Sequence, residues 1–268
     1  MAVEFGTSLG NLGFGLPTNR RDEQAANIFA IAEHAERVGL GAVWLGDHIA
    51  LPRNPSMAYP YGDGKYTLPS ESLLLDPLAT AGKLGALLAQ FPPSFKNDPA
   101  SRDYLSWLLQ AFADYRVAVE LRHSSWSDAV GDTLGLLNPF AAAWVQIDEP
   151  KFRFSIKQNF LPNVQGIYYM RLHGRNARQW WSHEKAEDRY NYLYSAPEIS
   201  EFVDTLDAAR DIVEKAYLYT NNHFSAKSVA NAATIKKQLG EPLTGEYSAE
   251  FLSRYPEVTD ALKPAEKI

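Results

Sequence analysis

Polar and aromatic side chains recur at the ends of the short apolar runs in this sequence. The set comprises Gln90, Glu120, Arg122, His123, Trp126, Asp148, Arg171, His173 and Asn221. In a parallel α/β architecture, the carboxyl ends of the strands and the loops after them form the side of the fold where active sites lie. We therefore expect these side chains to converge on one site, with Glu120 and His173 as candidate catalytic residues.

Three chemistries could use this set. Imidazole and carboxylate groups could hold a divalent metal, and the candidates are His48, Glu120, His123, Asp148 and His173. The histidines lack the tight spacing of a metal motif such as HExxH, so we assign no metal ligands. The metal hypothesis would make the protein a metal-dependent phosphoester hydrolase.

The second chemistry is the binding of an anion, and the third is acid–base catalysis beside a redox cofactor. Arg171 and Arg175 flank His173 and could bind a phosphate or carboxylate through bidentate hydrogen bonds. The alternative is that these arginines form internal ion pairs with Glu120 or Asp148. Asp47 and His48 form the third group, because imidazole titrates near neutral pH and could act as a general base.

Alternating apolar runs and helical patterns predict repeated β-α units and a parallel sheet. The predicted strands are Val3–Thr7, Leu12–Leu16, Ala42–Leu45, Gly85–Ala89, Val117–Leu121, Trp144–Ile147, Ile167–Leu172 and Tyr217–Thr220. The predicted helices are Asp22–Val38, Ser101–Ala113, Ile199–Glu214 and Ser225–Leu239, and Pro52–Ser72 is a long loop. We expect a single α/β domain over residues 1–268, a (β/α)8 TIM-type barrel. Its closure should be irregular at the first two strands, because only Ser8–Asn11 connects them.

Composition excludes several classes of protein and site. The 268 residues carry 32 acidic and 26 basic side chains, a formal net charge of −6, so a nucleic-acid partner is not expected. The chain contains no cysteine, which rules out disulfides and thiolate chemistry. No apolar stretch approaches the roughly 20 residues that cross a bilayer. We expect a soluble cytoplasmic protein without a membrane partner, whose partner is a small molecule or none.

The first third of the chain resembles the luciferase-like monooxygenase superfamily. The matching motifs are LGFGLPT (Leu12–Thr18), AEHAERVGLGAVWLGDHIALP (Ala32–Pro52) and LLLDPLATAG (Leu73–Gly82). The resemblance implies a barrel that binds flavin or deazaflavin and works as an oxidoreductase. It places Asp47 and His48 beside the redox ring of the coenzyme.

The rest of the chain resembles a different barrel family, domain-of-unknown-function family 72. The matching motifs are KLGALLAQFPPSF (Lys83–Phe95), VAVELRHSSW (Val117–Trp126), IDEP (Ile147–Pro150), YYMRLHGR (Tyr168–Arg175) and YLYTNNHFSAKSVANA (Tyr217–Ala232). The motif FGTS (Phe5–Ser8) also resembles the first strand of that family, so residues 3–8 join this part. The resemblance implies a barrel fold and names no activity.

Two resemblances in one chain lead to the hypothesis of a chimera. Residues 1–82 would be the luciferase-like segment and residues 83–268 the family-72 segment of one hybrid barrel, engineered by design or, alternatively, a natural mosaic. Such a chimera lacks the later luciferase-like strands that hold the coenzyme. We therefore expect no established catalytic activity and no cofactor, with flavin or deazaflavin as the possible exception and Asp47, His48, Arg171 and Arg175 as its binding residues.

Overall fold

The computed structural model describes residues 4–11, 30, 33, 37, 42–46, 79–158, 163, 166–222, 224–243 and 247–261. The chain divides into two compact units. The smaller unit comprises residues 6–85, and the larger comprises residues 1–5 together with 86–268.

The smaller unit contains a parallel strand pair. Strand β1 (Glu4–Asn11) enters this unit at Gly6 and pairs with β2 (Ala42–Gly46), with an irregular register between Ser8 and Asn11. The strand therefore continues through Ser8–Asn11, where the sequence predicts a connection. Within the predicted first helix, residues 30, 33 and 37 are helical. The predicted strand Leu12–Leu16 and the loop Pro52–Ser72 lie outside the described residues.

The larger unit contains two sheets in which every strand pairing is parallel. One sheet has the order β3 (Leu87–Gln90), β4 (Val117–Glu120) and β5 (Ala143–Trp144). In the other, the first residues of β1 pair with β8 (Lys215–Thr220), which is followed by β7 (Ile167–Leu172) and β6 (Gln146–Asp148). Sheets in which all paired strands are parallel are expected from β-α repeats.

The two sheets separate where the sequence predicts a single strand, Trp144–Ile147. This segment forms two short strands with different partners, since Trp144 pairs with Val119 of β4 whereas Gln146 pairs with Met170 of β7. Between them, the Val145 amide donates to the Val119 carbonyl at 2.9 Å. The expectation of a complete (β/α)8 barrel is therefore not confirmed: over the part of the chain that the structure describes, the strands form parallel sheets that do not close.

Helices follow most strands of the larger unit. They are α1 (Pro99–Ala111), α2 (Ser124–Ser127), α3 (Val130–Leu137), α4 (Ala196–Arg210), α5 (Lys227–Gln238), α6 (Ala249–Arg254) and α7 (Pro256–Ala261). The predicted helices Ser101–Ala113, Ile199–Glu214 and Ser225–Leu239 correspond to α1, α4 and α5. Helix α4 begins at a capping box, in which Ser195 and Glu198 satisfy the first free amides. The start of α4 is thus set by local sequence.

The core of the larger unit lies on strands β4 and β7, whose residues are all buried. Strands buried on both faces are typical of parallel sheets covered by helices. Glu120 ends β4 and Arg171 lies at the end of β7, so charged side chains enter the core at the carboxyl edges of the sheets. Among the described residues, no helix is both long enough and apolar enough to span a membrane.

Candidate functional site

A buried carboxylate, that of Glu120, lies at the centre of the polar groups. Its side chain is fully inaccessible to solvent. It accepts hydrogen bonds from Arg122 Nε at 2.7 Å and from Arg171 Nη1 at 2.5 Å, and Arg171 Nη1 also donates to Gln90 Oε1 at 2.5 Å. His173 Nε2 lies 3.4 Å from Glu120 Oε1. We call these five residues the Glu120 cluster.

The strand ladders position this cluster. Gln90 is opposite Glu120 in the pairing of β3 with β4, which places the two side chains at the same sheet edge. Backbone hydrogen bonds continue beyond the strand ends, from the Phe91 amide to the Glu120 carbonyl at 2.9 Å and from the His173 amide to the Asp148 carbonyl at 2.8 Å. Side chains on such continued ladders are held more rigidly than those on free loops.

The arginines keep Glu120 ionised. Burial is the largest single influence on this carboxyl and raises its pKa, but Arg171, Arg122 and His173 together outweigh it and hold the pKa well below its usual range. A carboxylate with two guanidinium partners is a strongly held anion. Glu120 is therefore charged at physiological pH and anchors both arginines.

His173 is a neutral imidazole. Its ring is fully buried, with Nε2 at 3.2 Å from Arg122 Nη2 and Nδ1 at 3.1 Å from Asn221 Nδ2. Burial and, after it, the neighbouring Arg122 lower the pKa of His173 to about 3, against the opposing effect of Glu120. Arg122 Nη2 and Asn221 Nδ2 are both donors, whereas a neutral ring has a single acceptor nitrogen. Nδ1 therefore accepts from Asn221, and Nε2 carries the proton that faces Glu120 Oε1, so that the uncharged ring joins Asn221 to Glu120.

A second buried carboxyl, that of Glu149, contacts the same arginine. Its Oε2 lies 3.5 Å from Arg122 Nη1, and this oxygen accepts no hydrogen bond from the residues that the structure describes. Burial raises the pKa of Glu149 to about 7, since Arg122 offsets the loss of water only in part and Glu120 adds repulsion. Glu149 is therefore close to half protonated near neutral pH.

A separate group of charges surrounds Asp148. Arg175 donates to both carboxylate oxygens, from Nε at 2.9 Å and Nη2 at 3.0 Å, and the Tyr194 hydroxyl donates to Oδ2 at 2.7 Å. Arg175 Nη1 also reaches Glu198 Oε1 in the first turn of α4 at 3.1 Å. We call these four residues the Asp148 cluster. They join the end of β6 to the loop after β7 and to α4.

Comparison with known proteins assigns this chain to a family. The family model described as "Protein of unknown function DUF72" matches residues 69–252, more than half of the chain. The chain belongs to this family.

Relatives of the DUF72 family are similar over about two thirds of this chain. UPF0759 protein YunF of Bacillus subtilis (strain 168) is 28% identical over 187 residues, which are 65% of this chain and 63% of that protein. The crystal structure of a DUF72 family protein (TM1631) from Thermotoga maritima MSB8 is 31% identical with a TM-score of 0.57, covering 63% of each chain. That of EF0366 from Enterococcus faecalis V583 is 25% identical with a TM-score of 0.57, covering 65% of this chain and 66% of that one. The chain therefore spans less than two thirds of the length of the first of these relatives.

The family match corrects the hypothesis of an engineered chimera. The match begins at residue 69, before the expected junction at Gly82 and Lys83, and so includes the motif LLLDPLATAG that we assigned to a luciferase-like segment. The chain is a natural DUF72 protein with relatives in several species. No comparison supports the luciferase-like resemblance.

Two residues of the predicted polar set, His123 and Trp126, are not members of the Glu120 cluster. Trp126 is fully buried, donates from Nε1 to the Phe95 carbonyl at 2.9 Å and stacks on the Phe95 ring. His123 caps helix α2, where its Nδ1 accepts from the Ser125 amide at 3.1 Å. Their contacts give both residues a packing and capping role.

Asp47 and His48 lie outside the described residues, so their proposed part in catalysis and in binding flavin or deazaflavin stays a prediction. Within the described ranges, no group of three His, Asp or Glu side chains is arranged to hold a metal ion. Arg171 and Arg175 form the internal ion pairs that the sequence offered as the alternative, with Glu120 and Asp148.

The residue that sequence reasoning missed is Glu149. It directly follows Asp148 in the IDEP motif, which lies within the DUF72 match. A pair of adjacent acids after a predicted buried strand was the available signal. The alternation of side chains along a strand places neighbouring residues in different environments, which is why the two acids have different partners.

Proposed function

We propose that the Glu120 cluster and Glu149 form the active site of an enzyme that transfers a proton to or from a small, negatively charged molecule. The observation that carries the proposal is that two buried carboxyl groups contact Arg122 from different environments. Glu120 is held ionised by two arginines, whereas Glu149 has a pKa of about 7 and an oxygen without a hydrogen-bond donor among the described residues. Carboxyl pairs whose pKa values are separated in this way are typical of acid–base catalysis.

Each carboxyl has a different part in this proposal. Glu149 is the general acid or base, because a group that titrates near the working pH exchanges protons most effectively. Glu120 stays charged and positions Arg122 and Arg171. His173, as a neutral ring, accepts from Asn221 and directs its other nitrogen toward Glu120, which it helps to hold in place.

The arginines account for the charge of the expected substrate. A guanidinium group binds carboxylate or phosphate through paired hydrogen bonds. When Glu149 is protonated, Arg122 loses the negative partner at 3.5 Å and can pair with an anionic group of the substrate instead. Binding of the anion and protonation of Glu149 thus favour each other.

The location of the cluster supports a site open to small molecules. The cluster lies at the carboxyl ends of parallel strands, where α/β proteins bind their ligands. Gln90 is exposed while its side chain contacts Arg171, so the buried charges connect to the surface there. The family description names no activity, so the proposal rests on this geometry.

The test is turnover of small molecules by the purified chain and by a Glu149→Gln variant. The protein is incubated at pH 7 with a bacterial small-molecule extract, and consumption of each compound is followed by mass spectrometry. We expect at least one anionic compound to be consumed, and its loss to be at least about a hundredfold slower with Glu149→Gln. The Glu257→Gln variant, which removes an exposed carboxyl on α7, should retain the rate.

Two outcomes would overturn the proposal. One is that no compound changes with the unmodified protein. The other is that Glu149→Gln consumes the same compound at the same rate as Glu257→Gln. Retention of the folded state in both variants is checked by circular dichroism, so that a lost rate cannot result from unfolding.

A further inference from the structure

A short segment with alternating basic and aromatic residues begins directly after Glu149 and Pro150. Lys151 and Arg153 are exposed, and Phe152 and Phe154 between them are half-buried. The two phenylalanine rings stack, with centroids 5.6 Å apart and an angle of 15° between their planes. Two aromatic faces with two cations beside them thus lie on the loop that carries the proposed proton-transfer group.

A third ring comes from the loop after β7. Trp181 is 60% exposed, with its centroid 5.9 Å from that of Phe152 and 6.2 Å from that of Phe154. Single exposed apolar side chains are common on protein surfaces, whereas a group of adjacent aromatic side chains marks a binding surface more often. We call Phe152, Phe154 and Trp181 the aromatic platform.

The backbone under the platform is fixed before any ligand binds. The Phe152 amide donates to Ser155 Oγ at 3.1 Å, and the Ser155 amide donates to the Phe152 carbonyl at 3.0 Å. Ser155 Oγ in turn donates to the Pro150 carbonyl at 3.2 Å, and Ser155 itself is buried. A surface held in place in this way loses little entropy when it binds a rigid ring.

The backbone that carries the platform is hydrogen-bonded to the segment that carries Arg122. The Ser124 amide donates to the Phe154 carbonyl at 2.8 Å, and the Ile156 amide donates to the Arg122 carbonyl at 2.9 Å. The segment that carries Phe154 therefore runs beside the segment that carries Arg122. The charge of Lys151 also acts on Glu149.

We infer that the aromatic platform binds a planar aromatic ring of the substrate, and that a phosphate or carboxylate on this molecule pairs with Lys151, Arg153 or Arg122. This inference rests on the proposed function, since it names the substrate class of that same site. Offset stacking on the rings supplies the apolar contact, and the cations supply charge complementarity. A molecule that carries both a ring and an anionic group would use both the aromatic side chains and the cationic side chains.

Adenosine 5′-monophosphate is the probe. Adenosine, which has only the ring system, and inorganic phosphate, which has only the anion, are compared with it. The affinity of each compound for the full chain is measured by calorimetric titration. We expect the monophosphate to bind more tightly than either of the other two. Trp181→Ala should weaken its binding about tenfold, the usual worth of a good aromatic contact. Trp107→Ala is the matched control, because Trp107 is exposed to almost the same degree, at 61%, and contacts Tyr104 on α1 instead.

The inference is overturned if adenosine 5′-monophosphate does not bind at millimolar concentration, or if Trp181→Ala and Trp107→Ala have the same effect. It is also overturned if a single-stranded oligonucleotide binds far more tightly than the monophosphate, since the surface would then recognise a polymer. Glu149→Gln separates the two proposals: it should abolish turnover but retain binding of the monophosphate. Binding without any turnover would leave the ring site standing and remove the proposed acid–base function.

Discussion

The Asp148 cluster and the Glu120 cluster both pair a carboxylate with arginine at neighbouring strand ends, but only the Glu120 cluster contacts a further buried carboxyl group, Glu149, with an oxygen that lacks a hydrogen-bond donor among the described residues. Both Asp148 oxygens accept hydrogen bonds from Arg175, and Tyr194 adds a third donor. Arg175 is 29% exposed and has further carboxylate partners in Glu198 and Glu201. The charges there are paired and partly hydrated, as in a structural ion-pair network.

The Glu120 cluster is more deeply buried and borders on Glu149, which is not itself a member of the cluster. The Arg122 side chain is 11% exposed and contacts two carboxyl groups, of which Glu149 keeps one oxygen without a hydrogen-bond donor among the described residues. Buried polar atoms are nearly always paired, so an exception at a strand end calls for a reason. The Glu120 cluster with Glu149 is therefore where we expect a ligand to bind, whereas the Asp148 cluster ties β6 to α4.

The largest expected effect comes from removing the charge at the centre of the Glu120 cluster. Glu120→Gln leaves Arg122 and Arg171 buried without their shared anion, which should lower the free energy of unfolding by about 3–5 kcal/mol. Urea denaturation followed by circular dichroism measures this change. A double variant that also replaces Arg171 by Met should recover part of the loss, because fewer unpaired charges then stay buried. A loss below about 1 kcal/mol in Glu120→Gln would show that water or another group replaces the carboxylate.

Glu149 should make the protein less stable as the pH rises toward neutrality. The folded-state pKa of about 7 is above the ordinary value of 4.5, so the folded state holds this proton over a pH range in which the unfolded chain has released it. The stabilisation is complete below pH 4.5 and is lost as the pH rises through about 7. The full difference corresponds to about 3 kcal/mol.

The difference between unmodified protein and Glu149→Gln isolates this effect from other titrating groups. The unfolding free energy of Glu149→Gln minus that of the unmodified protein should rise by about 3 kcal/mol from pH 4.5 to pH 8. Glu120 and His173 titrate in both proteins and act in the opposite sense, since their lowered pKa values cost stability as the pH falls. A difference that stays constant with pH would mean that Glu149 titrates as an ordinary exposed acid.

Much of the polar geometry could be predicted from the sequence. Glu120, Arg171 and His173 follow or end buried apolar runs, and parallel strands bring such ends to a common edge. The ion pairs of Arg171 with Glu120 and of Arg175 with Asp148 were also among the sequence alternatives, since buried guanidinium groups require carboxylates. These features depend only on periodicity and charge.

What could not be predicted depends on backbone detail. The run Trp144–Ile147 gives no sign that it changes partners at Val145, because the strand that it pairs with is decided by tertiary packing and not by the residues of the run. The different environments of Asp148 and Glu149 follow from this short strand β6, whose exact end decides which acid meets Arg175 and which meets Arg122. The direction of the Trp126 ring toward Phe95 likewise depends on the helical turn that carries it.

The smallest effect on the free energy of unfolding is expected in the Asp148 cluster. Arg175→Ala removes two hydrogen bonds to Asp148 but leaves the one from Tyr194, and the partly exposed carboxylates of α4 become hydrated. The loss should be about 2 kcal/mol, less than for Glu120→Gln, and should shrink at high salt because the removed pairs are partly screened. Urea denaturation at low and high ionic strength measures both quantities. Equal losses for Arg175→Ala and Glu120→Gln would remove the distinction between the clusters, whereas a smaller loss together with unchanged turnover assigns the Asp148 cluster to the fold and the Glu120 cluster to the site.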